Sequence, residues 1–169
     1  MEFSTLLTAR YSARAYRPDP VPQDVLARVL EAARLAPTAA NRQPFGLVVF
    51  PTAGCEADLR RVYHRSWLAE APLVLWLGGI PAQAWTRRDG KTYLDVDVAI
   101  VMTHLILAAA AEGLGTCVVA AFDPQAAREV FALPPEVEPI LLTPLGDPAD
   151  RAGAKERKPL NELVHWGRW

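Results

Sequence analysis

Two stretches of the chain carry apolar side chains in a helical pattern. In PQDVLARVLEAARLA, residues 22–36, apolar positions recur every three or four residues; Pro22 suits a first helical turn, and Pro37 follows the end. The stretch 94–112 is apolar nearly all round, opens with acidic residues, and is followed by Gly113. Both are predicted helices, and the second needs cover on several sides.

Short apolar runs bounded by proline and glycine predict the strands. Between and after them, two further stretches are predicted to be helical, and Asp123 caps the second of these. Helices and strands that do not alternate strictly favour an α+β fold, with a sheet covered by helices on both faces. The predicted strands are 46–50, 72–79, 115–122 and 138–146, and the further helices are 53–67 and 123–131.

Composition restricts the class of protein. With 169 residues, 51% of them hydrophobic, the chain suits one domain over 1–169. Eighteen basic residues balance nineteen acidic ones, so we expect no nucleic-acid partner and no membrane partner. The apolar run 98–111 is shorter than the roughly 20 residues that span a bilayer. The start lacks a signal-peptide pattern and the two cysteines lack CxxC spacing, so a cytoplasmic location is expected.

The common catalytic and metal-binding motifs do not occur in the sequence. His64, His104 and His165 have no ligand spacing, so no metal site is expected, and His104 is interpreted as a core residue. Both cysteines are interpreted as core fillers. An enzyme without an evident nucleophile points to chemistry performed by a bound cofactor. The stretch 80–93 has no hydrophobic periodicity and is a candidate lid.

Three polar groups of residues remain to be explained. In ARYSARAY, period two puts Arg10, Ser12 and Arg14 on one face of an extended segment, where they suit an oxyanion or form a solvated edge. The second group follows the helix that ends before Pro37 and suits either a site or ordinary turn chemistry. The third is a basic patch near the end, which is either part of a site or solvated. The second and third groups comprise Thr38, Asn41 and Gln43, and Lys155, Arg157 and Lys158.

Together with a glycine-rich segment, these groups resemble the nitroreductase family of FMN-dependent oxidoreductases. The resemblance covers nearly the whole chain, and its four motifs stand in family order. They are R-x-S-x-R (10–14), P-T-x-x-N-x-Q-P-F (37–45), GLGT (113–116) and the closing LG…K-x-R-K-P-L-x-E-L-V (145–164).

The resemblance implies where FMN binds. Arg10 and Ser12 would hold the phosphate, helped by Lys155 and Arg157, and Arg14 would face the flavin near N1 and O2. No side chain is implied as catalytic, because the chemistry occurs at flavin N5, near the backbone of Ala120 and Ala121. In the implied homodimer, two FMN sites lie at the interface, and the helix 94–112 packs across its core. The block that approaches the partner's flavin comprises Pro37, Thr38, Asn41 and Gln43.

The fold implied is a three-layer α/β/α sandwich with a mixed central sheet, in a domain-swapped type of homodimer. The activity implied is hydride transfer from NADH or NADPH through flavin N5 to a small acceptor, such as a nitroaromatic, a quinone or an enone, in a ping-pong cycle. The alternative is an FMN-binding protein for storage, delivery or sensing.

The sequence also departs from the family pattern. The chain is short, Thr38 replaces a more usual serine and Phe45 a tryptophan, and Ala120 stands where many members carry an acid. The shortening falls mainly before the helix 94–112, in the region that shapes the substrate pocket. Substrate and nicotinamide preference are therefore not implied.

Overall fold

The centre of the fold is a four-stranded sheet. The computed structural model describes residues 2–169, in which the strand order is β1-β2-β4-β3. The strands are β1 (Phe45–Pro51), β2 (Leu73–Gly79), β3 (Gly115–Thr116) and β4 (Glu138–Gly146). The helices are α1 (Phe3–Ala9), α2 (Gln23–Arg34), α3 (Glu56–Val62), α4 (Trp67–Glu70), α5 (Leu94–Ala111), α6 (Pro124–Val130) and α7 (Leu160–Leu163).

The four strands pair antiparallel, so the expected mixed sheet needs correction. Parallel pairing within the described residues is confined to one bridge between Ser12 and Thr116. Parallel pairing is limited because β3 has only two residues and so offers the extended N-terminal segment a single pairing position. At this position Ala13 N–H donates to the Thr116 carbonyl at 3.0 Å. The remaining pairings join strands that run in opposite directions.

Side chains alternate between two helical layers, which confirms the three-layer α/β/α architecture. Along β2, Leu75 and Leu77 pack with α2 and α5 on one face, while Val74 and Trp76 pack with α3, α4 and α6 on the other. All four side chains are at most 1% exposed. Because β2 is covered on both faces, its sequence is a continuous apolar run instead of an alternating one.

Several element boundaries differ from those predicted. Helix α1 was not predicted; within the described residues, no side chain caps its N-terminus with a hydrogen bond, and Leu6 is its one buried residue. The predicted helix 53–67 is interrupted where Tyr63 becomes extended, which leaves α3 and α4. The predicted strand 115–122 shortens to β3 plus a bridge between Val119 and Leu142. The Asp123 cap of α6 is confirmed, because its carboxylate accepts from two backbone N–H groups at 2.9 Å.

Helix α5 has one covered side and one open side. The covered side packs into the core, and for this reason α5 is read as a core helix, although its length and apolarity alone would suffice to cross a membrane. On the open side, a shallow apolar depression of about 390 Å³ runs along the helix. The interpretation of His104 as a core residue is corrected, since it is half-buried on this strip. The open strip of α5 comprises Val96, Ala99, Ile100, Thr103 and His104.

The segment 80–93 is held by its own contacts. Thr86 and Thr92 form an antiparallel bridge, and the rings of Trp85 and Tyr93 meet edge to face at 5.0 Å. The Arg87 guanidinium donates to the Tyr93 hydroxyl at 3.1 Å. The segment is therefore a folded turn that lies between β2 and α5, and its role as a lid stays a prediction.

Candidate functional site

The extended segment after α1 forms one wall of a cavity. Arg10, Tyr11, Ser12 and Arg14 line it, whereas Ala13 is fully buried against the body of the domain. The backbone bond from Ala13 N–H to the Thr116 carbonyl fixes this segment beside β3. The three polar residues that period two groups together thus line one cavity, and Tyr11 lines it as well.

The other wall of the cavity comes from the opposite end of the chain. Residues 150–157 fold over the segment 10–14 and enclose a volume of about 410 Å³, with Lys155 and Arg157 among the lining residues. The Lys155 ammonium group donates to the carbonyls of Leu7 and Thr8, at 2.9 and 2.6 Å. These carbonyls lie at the C-terminal end of α1, where a cation also meets the negative end of the helix dipole.

The cavity carries more positive than negative charge. Five basic residues line it against two acidic ones, and within residues 2–169 none of the five forms an ion pair. Loss of hydration lowers the pKa of Lys155, and the neighbouring Arg10 and Arg157 lower it further. A bound anion would relieve this repulsion. The basic residues are Arg10, Arg14, Arg151, Lys155 and Arg157; the acidic ones are Asp150 and Glu156.

Asp150 fastens the two walls together. Its carboxylate accepts from the Arg14 backbone N–H at 2.8 Å and from the Tyr11 hydroxyl at 3.0 Å. Burial, followed by the hydrogen bond to Asp150, raises the pKa of Tyr11 to about 12. Sequence reasoning missed both residues, because a contact across 139 positions leaves no local pattern.

Cys117 lies beneath the cavity and fits the interpretation as a core filler. The side chain is 5% exposed, and its backbone N–H donates to the Thr143 hydroxyl at 3.0 Å. Burial raises the pKa of the Cys117 thiol, while Arg14 and Ser12 beside it act in the opposite direction. A thiol that stays protonated is a poor nucleophile.

A second group of predicted residues forms a strained turn between α2 and β1. In this strained turn, residues 38–43, Ala40, Asn41 and Gln43 have φ of 52°, 53° and 51°, a region that residues other than glycine adopt at a cost of about 1–3 kcal/mol each. The Thr38 hydroxyl accepts from the Gln43 backbone N–H at 3.0 Å and so closes the turn. Strain of this kind concentrates at functional sites.

The cavity and the strained turn lie at opposite ends of the domain. Ala110, near the end of α5, lines a small pocket together with Arg10. Asp97, in the first turn of α5, accepts a hydrogen bond from the strained turn. Thirteen residues of helix separate Ala110 from Asp97, which is about 20 Å. One chain therefore does not bring Pro37, Thr38, Asn41 and Gln43 to the cavity that holds Arg10, Ser12, Arg14, Lys155 and Arg157.

Ala120 and Ala121 follow the bridge at Val119 and are exposed. In the described part of the chain, their backbone N–H groups donate to no other protein group. Ala120 lies four residues after Thr116 of β3, at most about 13 Å along an extended chain. Within residues 2–169, Ala120 and Ala121 thus offer unpaired backbone N–H groups beyond the end of β3, and their role toward the flavin stays a prediction.

Comparison with known proteins decides the family. The model of the Nitroreductase family matches residues 7–62 and 55–147. The chain belongs to the nitroreductase family. A crystal structure of a nitroreductase family protein from Clostridium difficile 630 is 35% identical, covers 100% of both chains, and has a TM-score of 0.89. Membership makes the chain an oxidoreductase of the flavin-dependent class, as the resemblance implied.

Two relatives show the range of activities among similar proteins. The NADH dehydrogenase of Thermus thermophilus is 29% identical over 98% of the present chain and 96% of the relative. The FMN reductase [NAD(P)H] of Bacillus subtilis is 26% identical over 94% of the present chain and 71% of the relative. A nitroreductase from Exiguobacterium sibiricum in complex with FMN, 19% identical with a TM-score of 0.86 over 98% and 97% of the two chains, shares the fold.

Proposed function

We propose that this nitroreductase binds FMN, takes hydride from NADH or NADPH, and passes it to a small acceptor such as a nitroaromatic, a quinone or an enone. The observation that carries the proposal is the cavity, in which five basic side chains meet and, within residues 2–169, form no ion pair. The names of its relatives support the same cofactors, since they include an FMN reductase and an NADH dehydrogenase.

The residues of the cavity fit a phosphate monoester. Such a group carries a charge of about −1.5 to −2 at neutral pH and several acceptor oxygens. Arg10 and Lys155 supply charged donors, Ser12 supplies a hydroxyl, and Arg157 completes the wall. Loss of hydration, followed by the nearby Arg10 and Arg157, lowers the pKa of Lys155, and a dianion beside these groups would favour the charged ammonium.

The ring of the flavin would extend from the cavity along β3. Arg14 lies on the Cys117 side of the cavity and would place a cation beside the pyrimidine edge, where it favours negative charge. The free N–H groups of Ala120 and Ala121 would serve as backbone donors farther along. FMN, when bound, supplies hydride acceptance and donation at N5; these protein groups orient it and stabilise charge.

The strained turn would reach the flavin of a second copy, which makes the active form a homodimer. One chain holds the turn about 20 Å from its own cavity, so a second copy must supply it. The open strip of α5 is an apolar surface for that contact, and α7 and the residues after it leave large apolar side chains exposed, as an exchanged segment would. The exposed side chains include Leu160, Leu163, Trp166 and Trp169.

The experiment is purification followed by absorbance and steady-state assays. We expect a yellow protein, or one that takes up FMN, that oxidises NADH or NADPH when an acceptor is present and scatters light as two chains. A colourless protein that takes up no FMN would end the proposal. Tight FMN binding with reduction too slow for turnover would favour storage, delivery or sensing, and a flavin-loaded monomer would refute the dimer.

A further inference from the structure

Asp97 is a buried carboxylate whose side chain accepts a single hydrogen bond within the described residues. Its side chain is 1% exposed, and Oδ1 accepts from the Ala39 backbone N–H at 2.8 Å. The other oxygen, Oδ2, is buried and has no partner within the described residues. Asp97 is thus partnered on one side only, and its one hydrogen bond goes to the strained turn.

The surroundings of Asp97 do not call for an acid. Its helical neighbours Leu94, Val98 and Val101 pack into the apolar core, where an aliphatic side chain would be the ordinary choice. A buried polar atom without a partner costs free energy, as does each positive φ in the turn. The unpartnered Asp97 Oδ2 and the positive φ values of the strained turn are both unfavourable, and one hydrogen bond joins the two sites. This combination indicates that the role of the bond is to hold the conformation of the turn.

We propose that Asp97 is the positioning residue of the strained turn and fixes it in the form that presents Asn41 and Gln43 to the flavin ring of a second copy. The inference rests on the proposed function. Asn41 and Gln43 are exposed, and the Gln43 side-chain amide donates to the Asn41 carbonyl at 3.1 Å within the turn. Asp97 ties the turn to α5, whereas Thr38 only closes it on itself.

The first test does not depend on flavin. Amide hydrogen exchange is compared in the full chain, in Asp97→Ala, and in Asp97→Asn, which keeps an oxygen for the Ala39 N–H. We expect exchange in residues 38–43 to rise at least tenfold in Asp97→Ala, with α2 and β2 unchanged, and Asp97→Asn to fall in between. Asp95→Ala removes an exposed carboxylate two residues away and serves as the control.

The outcomes separate positioning from general stability. If Asp97→Ala does not fold, the folded Asp97→Asn variant carries the test, and its turn must then exchange faster than that of the unchanged chain. Unchanged exchange of the turn in a folded variant, or a rise spread over the whole domain, overturns the proposal.

The second test uses two flavins that differ in the phosphate. FMN and riboflavin are titrated well below the melting temperature of each variant. Because the turn would meet the ring, Asp97→Ala is expected to weaken both flavins by the same factor, about tenfold, and Asp97→Asn to recover part of the loss. Weakening of FMN alone, or of neither flavin, overturns the assignment. If the unchanged chain binds neither flavin, the proposed function fails, and the exchange experiment still decides whether Asp97 holds the turn.

Discussion

Removal of Arg10 and removal of Arg14 should have different effects on the flavin. Arg10 acts on the ammonium group of Lys155, which places it on the side of the cavity where Lys155 and Arg157 lie. Of the two arginines that lower the pKa of the buried Cys117 thiol, Arg14 has the larger effect and Arg10 the smaller, so Arg14 lies nearer the side that continues into β3. Arg10 should therefore meet the phosphate, whereas Arg14 should meet the ring.

The size of the first effect follows from the charge of the cavity. Five basic and two acidic residues leave a formal excess of three positive charges, and Arg10→Ala reduces it to two. A charge-assisted hydrogen bond contributes about 1.5–3 kcal/mol, so FMN should bind about ten- to a hundredfold more weakly. Riboflavin lacks the phosphate, and its affinity should not change. Arg14→Ala should retain more FMN and slow its reduction by a similar factor.

The assay pairs the dissociation constants of FMN and riboflavin, taken from flavin fluorescence, with the single-turnover rate of reduction by NADH or NADPH. Arg17→Ala is the matched control, because Arg17 is a nearby exposed arginine that pairs with Asp147 at 3.7 Å and does not line the cavity. Equal loss of both flavins in Arg10→Ala would refute the phosphate assignment. If both variants lose only affinity and are reduced normally when saturated, the division of roles is wrong.

Three further substitutions test the framework around the site. Because the pKa of Tyr11 rises from about 10 to about 12 on folding, the free energy of unfolding should fall as pH rises through this interval. Tyr11→Phe should remove this contribution to the pH dependence, which unfolding midpoints measured at several pH values would show. Asp123→Ala removes the cap of α6 and should destabilise the protein by about 1 kcal/mol in thermal unfolding, with FMN affinity unchanged. Gly78→Ala would drive a Cβ into the Trp76 ring and to 2.7 Å from the Glu138 carbonyl, so we expect a loss of about 1–3 kcal/mol in denaturant unfolding; an unchanged midpoint would contradict this packing.

The elements that were predicted well are those whose pattern matches their burial. Helix α2 shows one apolar face because one face packs, and β2 and β4 are apolar runs because helices cover the sheet. Helix α1 escaped prediction because it buries a single side chain, Leu6, and therefore shows little periodicity. The break between α3 and α4 depends on how the chain packs around Tyr63, which the local sequence does not specify.

The site shows the same division between local and distant information. Arg10, Ser12 and Arg14 were predicted to share a face because a period of two is a local property. The positive φ values of the strained turn were not predicted, because the turn has alanine, asparagine and glutamine at these positions, whereas glycine is the usual sequence signal for positive φ. In the sequence, Asp97 is simply one of the acidic residues with which the predicted helix 94–112 opens. The contact between Tyr11 and Asp150 joins positions that no spacing rule connects.

The two ends of the chain meet at the cavity, and this links the fold to the proposed chemistry. Lys155 is held by the end of α1, and Asp150 is held by the segment after α1, so the cations converge only when residues 150–157 dock against the N-terminal segment. Docking removes water from Lys155 and brings Arg10 and Arg157 near it, both of which lower its pKa, and an anion in the cavity would offset the repulsion between these cations. The phosphate of FMN would therefore contribute to the docking of the C-terminal segment as well as to its own binding. Since α7 and the exposed Trp166 and Trp169 follow directly, the same docking would set the point from which this segment reaches the proposed second copy. Binding of FMN and assembly of the dimer are thus expected to be coupled through residues 150–157.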